Sequence, residues 1–156
     1  MSQQDIEAIR NLKYAYFRLL DQKRFDELGQ LLLPECTVKY HTGRYGHDGR
    51  DATIAFLKEF MSSNQVLTLH QGHHPEIAMV SDTEATGIWY LHDIVINLHD
   101  NTKLEGNGFY DDRYRKVNGE WKIAHTGYRR TFDIKQPLGE VLELFNGFVE
   151  DGPFTK

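Results

Sequence analysis

The chain has 156 residues, a formal net charge of −5 and 40% hydrophobic residues. This length suits one domain with a real core, so we expect a single domain over residues 1–156. The acidic balance disfavours nucleic acid or an anionic membrane as a partner. No stretch approaches the roughly 18 apolar residues of a spanning helix, and the N-terminus lacks a signal-peptide pattern. The single cysteine, Cys36, suits a reducing compartment, so we expect a cytoplasmic protein with a buried, inert thiol.

The first third of the sequence predicts three helices and one short strand. Apolar residues recur at helical spacing from Gln4 to Leu20, which predicts an amphipathic helix. A second, shorter helix is predicted from Phe25 to Leu32, with Pro34 as its stop signal. A strand over 37–40 then leads into a loop rich in glycine and histidine over 40–49. Asp51 is expected to cap a third helix.

The rest of the sequence changes to the period of two that is typical of strands. Four strands are predicted, over 66–80, 84–98, 103–117 and 120–132. Ser81-Asp82 and Asn118-Gly119 read as turns, and the second is a strong hairpin signal. The strand over 84–98 is apolar on both faces, which predicts cover on both sides. A short amphipathic helix over 141–148 ends the chain. Helices followed by long antiparallel strands indicate an α+β fold, in which helices pack on a strongly curved sheet to form a cone-shaped barrel.

Five polar side chains lie in or beside apolar stretches where packing alone favours Leu or Val. They are Tyr16, Asp21, Tyr40, His70 and Asp93. A buried ionisable group without a partner costs several kcal/mol, so such groups normally find each other or line a cavity. A cavity between sheet and helices is the natural ligand site of this fold. Together these residues indicate an acid–base site.

The strand pattern places His70 and Asp93 opposite each other. If the segments around them pair as an antiparallel hairpin with its turn near residues 81–82, His70 faces Asp93 across the ladder. A carboxylate that bonds a histidine orients the ring and fixes one tautomer. Asp21 is a second candidate for that role, provided that the first helix ends near Leu20; otherwise it caps the second helix. The pattern leaves both carboxylates open.

Other histidines are weaker candidates. His73 and His74 lie close to His70, but strand alternation places His70 and His74 on one face and His73 on the other. No cysteine pair or glutamate completes a zinc site there, so we expect no metal. His125 belongs to an alternating pattern with Trp121 and is expected to line the wall of the cavity.

Several stretches of the chain resemble the SnoaL-like group of the nuclear transport factor two-like superfamily, over essentially the whole length. They are Tyr16–Asp21, Gly49–Asp51, His70–Ile77, Ala85–Tyr90, Gly108–Tyr114 and Gly119–Ile123. The polar set looks most similar to that of bile acid 7α-dehydratases and, more loosely, scytalone dehydratases. Their pattern is a tyrosine on the first helix, an aspartate five residues later, a tyrosine on the first strand, then a histidine and an aspartate on neighbouring strands. Here it falls on the five residues named above.

The resemblance implies a cofactor-independent dehydratase that acts on a small hydrophobic cyclic substrate such as a steroid or polyketide. Tyr16, Asp21, Tyr40, His70 and Asp93 would be catalytic, and three further residues would contact substrate: Trp89, Tyr110 and His125. Ketosteroid isomerisation and polyketide cyclisation remain alternatives, because they also proceed through an enolate. So does a non-catalytic ligand-binding or oxygenase beta-subunit-like domain. Apolar residues on the outer sheet face predict a homodimer or homotrimer.

Overall fold

The computed structural model describes residues 3–150, which form four helices and one six-stranded sheet. The helices are α1 (Gln3–Asp21), α2 (Phe25–Gln30), α3 (Arg50–Met61) and α4 (Gly147–Glu150). The strands are β1 (Leu32–Tyr40), β2 (Tyr45–Asp48), β3 (Val66–Met79), β4 (Glu84–Asn97), β5 (Thr102–Val117) and β6 (Glu120–Pro137). Their order in the sheet is β2-β1-β6-β5-β4-β3, and only the β1–β6 pair is parallel. The predicted α+β class is confirmed.

The sheet curves around the helices. Helix α1 packs against both β3 and β6, although two strands separate these in the sheet. Helix α3 likewise contacts β1 and β3, which lie near opposite edges. A flat sheet could not reach one helix from such distant strands, so the sheet wraps into an open cone. The apolar stripe of α1, including Ile9, Phe17 and Leu20, fills the closed part of this cone.

Both predicted turns are present, and they set the register of the long strands. The amide of Val80 donates to the carbonyl of Glu84, which closes the turn between β3 and β4. Asn118 and Gly119 both have positive φ, of 52° and 84°, as the tight hairpin between β5 and β6 requires. Register is specified wherever one face of a strand is buried, because a slip of one residue would expose the core side chains.

Four local predictions in the first third of the chain are wrong. Helix α2 ends at Gln30, so Leu32 opens a strand, and Pro34 lies in β1 where its ladder with β6 is interrupted. The predicted 40–49 loop contains β2, which pairs back on β1 after a turn with positive φ at residues 41–43. Gly49, with φ 95°, precedes α3 as its N-cap, and Asp51 is exposed in the first turn without a capping bond.

The C-terminal and central-strand predictions also need correction. Residues 141–146 are not helical, because the Asn146 side chain accepts from the amide of Phe148 and so starts α4 only at Gly147. On β4, the face that carries Trp89 is buried, whereas Tyr90 on the opposite face is 43% exposed. One face of this strand is therefore open in the single chain. The expected homodimer or homotrimer stays a prediction. Among residues 3–150, no helix has the length and apolar character needed to cross a membrane.

Candidate active site

A cavity of about 390 Å³ lies between α1, α3 and the concave face of the sheet. This volume is within the range of small-molecule sites. Its buried end carries Tyr16, Tyr40, His70, Asp93 and Tyr110, all of them expected at the site. Apolar side chains form most of the remaining wall: Leu20, Phe56, Leu57, Met61, Val66 and Leu104. The structure therefore brings together polar residues from one helix and four strands around one apolar cavity.

Asp21 holds His70 in the wall of this cavity. Helix α1 ends at Asp21, so its carboxylate is free to reach β3. One carboxylate oxygen lies 2.7 Å from His70 Nδ1, and the other accepts from the His70 amide at 2.7 Å. Thr68 Oγ1 adds a third bond at 2.8 Å. A carboxylate only accepts, so Nδ1 donates to it, and in the neutral ring Nε2 is the nitrogen that carries the lone pair.

This geometry decides between the two carboxylates that the sequence left open. The backbones of His70 and Asp93 do pair across β3 and β4, as the pattern predicts. Their side chains do not bond to each other. His70 is bonded by Asp21, and its side chain is only 7% exposed. The alternative role of Asp21, as the cap of α2, is wrong, because Arg24 occupies that position.

Tyr16 and Tyr40 form a hydroxyl pair at the buried end of the cavity. Their oxygens are 2.7 Å apart, and the residues are 1% and 5% exposed. Each hydroxyl has one hydrogen, so one phenol donates to the other and the second hydrogen is free to donate into the cavity. Burial raises the pKa of both phenols well above 10, which keeps them protonated. The pair can thus donate one hydrogen bond to a ligand oxygen.

Asp93 is paired with Arg130, a residue that the sequence analysis missed. The guanidinium of Arg130 binds both carboxylate oxygens, one of them at 2.7 Å, and the two side chains are 9% and 4% exposed. Burial disfavours the charge of Arg130, but its bonds to Asp93 outweigh this and raise its pKa. Gly106, on the strand between them, makes this possible, because a Cβ there would lie 2.2 Å from an Arg130 nitrogen.

A second buried ion pair lies behind the tyrosines. Lys13 and Asp112 are fully buried and 2.8 Å apart, and Tyr114 also donates to Asp112 at 2.7 Å. Burial lowers the pKa of Lys13, and the charge of Asp112 opposes this shift. The ammonium lies 3.6 Å from the centre of the Tyr110 ring and 4.5 Å from that of Tyr16. This pair fixes the rings that form the floor of the cavity.

Two of the expected substrate contacts are wrong. Trp89 does share the buried face of β4 with Asp93, but it lies four residues away, about 13 Å along the strand. Its ring is fully buried, and its indole donates to Tyr114. His125 bonds Thr37 at 2.7 Å and lies outside the cavity. Tyr110, the third expected contact, does line the cavity.

A bulge explains why His125 turns away. Tyr114 pairs with Ile123, but Arg113 pairs with His125, so β6 holds one extra residue at this point. An extra residue moves the following side chains to the opposite face. The even-numbered residues Thr126 and Tyr128 therefore turn inward.

His73, His74 and the cysteine lie outside the cavity that His70 lines. His73 and His74 lie on the outer face of the sheet with ring centres 6.0 Å apart, and a bulge beside Pro75 removes His74 from the face of His70. Within residues 3–150, no group of three or more His, Cys, Asp or Glu side chains is arranged to hold a metal ion. Cys36 is fully buried, and burial raises the pKa of its thiol to about 12.

Residues 2–127 match the family model of the SnoaL-like domain. The chain belongs to this family. The resemblance to the SnoaL-like group of the nuclear transport factor two-like superfamily is therefore confirmed, and the cone-shaped fold agrees with it.

Solved structures of similar proteins support the same fold. A candidate scytalone dehydratase from Novosphingobium aromaticivorans is 26% identical, with a TM-score of 0.77 over 88% of this chain and 95% of that one. The hexachlorocyclohexane dehydrochlorinase LinA-type3 from Novosphingobium barchaimii is 15% identical, with a TM-score of 0.77 over 91% and 95%. ActVI-ORFA from Streptomyces coelicolor is 12% identical, with a TM-score of 0.70 over 83% and 98%. Proteins with the names of lyases thus share this architecture.

Proposed function

We propose that this SnoaL-like protein is a cofactor-independent dehydratase that eliminates water from a hydroxylated cyclic ketone, such as a steroid or polyketide. One observation carries the proposal: Asp21 holds the His70 ring through Nδ1 at a cavity whose buried end carries the Tyr16–Tyr40 pair. This arrangement supplies a base and an oxyanion donor on one apolar site. The similarity to a candidate scytalone dehydratase supports the same class of reaction.

His70 is the proposed base. Nε2 takes the proton from the carbon next to the substrate carbonyl, or from the vinylogous carbon C6 in a 3-oxo-4-ene steroid. The electron pair of that C–H bond passes into an enolate or dienolate. The Tyr16–Tyr40 pair donates a hydrogen bond to the enolate oxygen as charge develops there. Acid–base help of this kind typically contributes about 10²–10⁴-fold, and each well-placed oxyanion donor about 10²–10³-fold.

The leaving group then departs with the proton that His70 has taken. The enolate or dienolate electrons re-form the carbonyl and a new C=C bond, the C–O bond on the carbon next to the deprotonated one breaks, and the hydroxide leaves as water. Asp21 stabilises the imidazolium between these steps without accepting its proton. Asp93 binds Arg130 and holds it against the cavity wall. Asp93 therefore helps to shape the cavity, whereas Asp21 orients the base.

The experiment is a steady-state absorbance assay with a panel of β-hydroxy ketones and 7-hydroxy-3-oxo-4-ene steroids. Wild type should form conjugated product, and His70→Ala should lose the activity by 10²-fold or more, about the lower limit for a general base. The matched control is His73→Ala, which removes an exposed histidine from the outer face of the same strand. Equal turnover by wild type and His70→Ala would refute the proposal. A shifted double bond or a closed ring as product would replace dehydration with isomerisation or cyclisation.

We also propose that the protein works in the cytoplasm. The basis is its single cysteine, which is buried and carries a thiol pKa of about 12. Fractionation of the cells that produce it would test this assignment.

A further inference from the structure

The cavity is lined by one ion pair and by two further cationic side chains. Asp93 and Arg130 neutralise each other at the buried end. Arg44 and Lys135 also line the cavity, and neither forms an ion pair or a side-chain hydrogen bond with the residues of 3–150. Asp133, beside the cavity, lies 3.6 Å from Arg130 and 3.7 Å from His41, and it forms no ion pair with Arg44 or Lys135. These two cations therefore have no carboxylate partner among residues 3–150.

These two cations lie at the opening of the cavity. Arg44 and Lys135 are exposed, whereas Tyr16 and Tyr40 at the other end are almost inaccessible. Arg44 belongs to the turn before β2, and its guanidinium carbon lies 5.7 Å from the centre of the Tyr45 ring. Lys135 reaches the opening because β6 has a second bulge, at Thr131, which returns the odd-numbered side chains to the concave face.

Aromatic rings occupy the wall next to this opening. Phe56 lies 4.8 Å from Phe60, 5.5 Å from Tyr45 and 6.2 Å from Tyr40, measured between ring centres. The stacking with Tyr40 is within 25° of parallel. A flat ring system fits against such a wall, and any substituent directed outward then meets Arg44 and Lys135.

The charge of Arg44 and Lys135 at the opening is opposite in sign to the net charge of the molecule. The whole chain has a net charge of −5. An isolated surface cation is normally only solvated, but two unpaired cations at one apolar opening concentrate a positive potential that attracts anionic ligands. Guanidinium and ammonium groups both bind carboxylate and phosphate oxygens.

We infer that the substrate carries an anionic group, a carboxylate or a phosphate, which Arg44 and Lys135 bind at the cavity opening while the ring lies against the aromatic wall. The inference names the substrate class of the proposed dehydratase, and it rests on that proposed function for its chemical setting. The binding of the anion itself does not require turnover, so it can be measured separately.

The experiment is isothermal titration calorimetry with three flat probes: 2-naphthoate, 2-naphthyl phosphate and the neutral 2-naphthamide. Wild type should bind at least one anion about tenfold more tightly than the amide, since each exposed charge pair contributes about two- to fivefold. Arg44→Gln/Lys135→Gln should remove this preference and leave amide binding unchanged. Added salt should weaken the preference in wild type.

The matched control is Lys39→Gln/Arg129→Gln, which removes one exposed lysine and one exposed arginine that do not line the cavity. It should retain the preference. If wild type prefers both anions over the amide, the site recognises negative charge in general. If it prefers only one anion, that probe shows whether the substrate group is a carboxylate or a phosphate. Equal binding of all three probes by wild type overturns the inference, as does an equal loss in the control. His70→Ala should keep the anion preference, so a failed turnover assay with this preference intact would refute the dehydratase and not the anion site.

Discussion

Replacing Asp21 with Asn tests how the carboxylate controls His70. The carboxylate accepts three hydrogen bonds: two from His70, at Nδ1 and the amide, and one from Thr68. An asparagine has one acceptor oxygen and a donor NH₂, so it cannot accept all three. If its oxygen keeps the amide of His70, its NH₂ faces Nδ1 and favours the tautomer with the proton on Nε2. That tautomer cannot take a proton from substrate. We therefore expect kcat to fall by about 10²–10⁴-fold.

The same variant should also be less stable than wild type. A hydrogen bond to a charged group contributes about 1.5–3 kcal/mol, so the free energy of unfolding should fall by about that amount in urea. Thr68→Val is the matched control, because it removes one bond to Asp21 and leaves the bond to Nδ1. Its turnover should stay within a few-fold of wild type. Wild-type kcat in Asp21→Asn, measured in the product-forming assay, would refute the role of the carboxylate.

Three further predictions concern the support of the cavity. Gly106→Ala places a methyl group against the guanidinium of the cavity's buried ion pair, and it should lower the free energy of unfolding in urea by about 3 kcal/mol. Gly46→Ala is the control, because a Cβ there makes only ordinary contacts. Equal losses in the two variants would contradict this prediction. Burial raises the pKa of Tyr128 to about 12, so the unfolded chain loses the phenol proton first. Stability should then fall as pH rises from about 10 to 12, and the fall should be smaller in Tyr128→Phe by about 2 kcal/mol, the contribution of this one phenol; equal falls in both proteins would contradict it. Lys13→Met leaves the charge of Asp112 unpaired and should lower the free energy of unfolding by about 3–5 kcal/mol. The double variant Lys13→Met/Asp112→Asn should recover part of this loss. A double variant as unstable as the single one would argue against the ion pair.

The sequence was sufficient to predict the fold class, the long hairpins and the pairing of His70 with Asp93. These depend on local signals, namely the two turns and the extended, strand-like runs on either side of them. The first helix was also predicted closely, because apolar residues recur along it at helical spacing. Such features are readable since each is set by residues that are close in the chain.

The partners of the site side chains could not be predicted from the sequence, because they depend on where strands that are distant in the chain bulge. One extra residue in β6 turned His125 outward, and the alternation on either side gives no sign of it. Arg130 reaches Asp93 only across Gly106, which lies on a different strand. The one signal that could have identified Arg130 is its spacing: it lies two residues after Tyr128 and therefore shares the inward face of β6. The choice between Asp21 and Asp93 likewise required the packing of α1 on β3.

The most direct test of the central claim is proton exchange at the substrate carbon. A 3-oxo-4-ene steroid without the 7-hydroxyl group has an acidic C–H but no leaving group, so the proton can be removed but water cannot be eliminated. In D₂O, wild type should exchange this proton, and the NMR signal of that C–H should decay. Exchange should slow by 10²-fold or more in His70→Ala and remain unchanged in His73→Ala, as the contribution of a general base requires. Equal exchange rates in wild type and His70→Ala would contradict the assignment of His70 as the base.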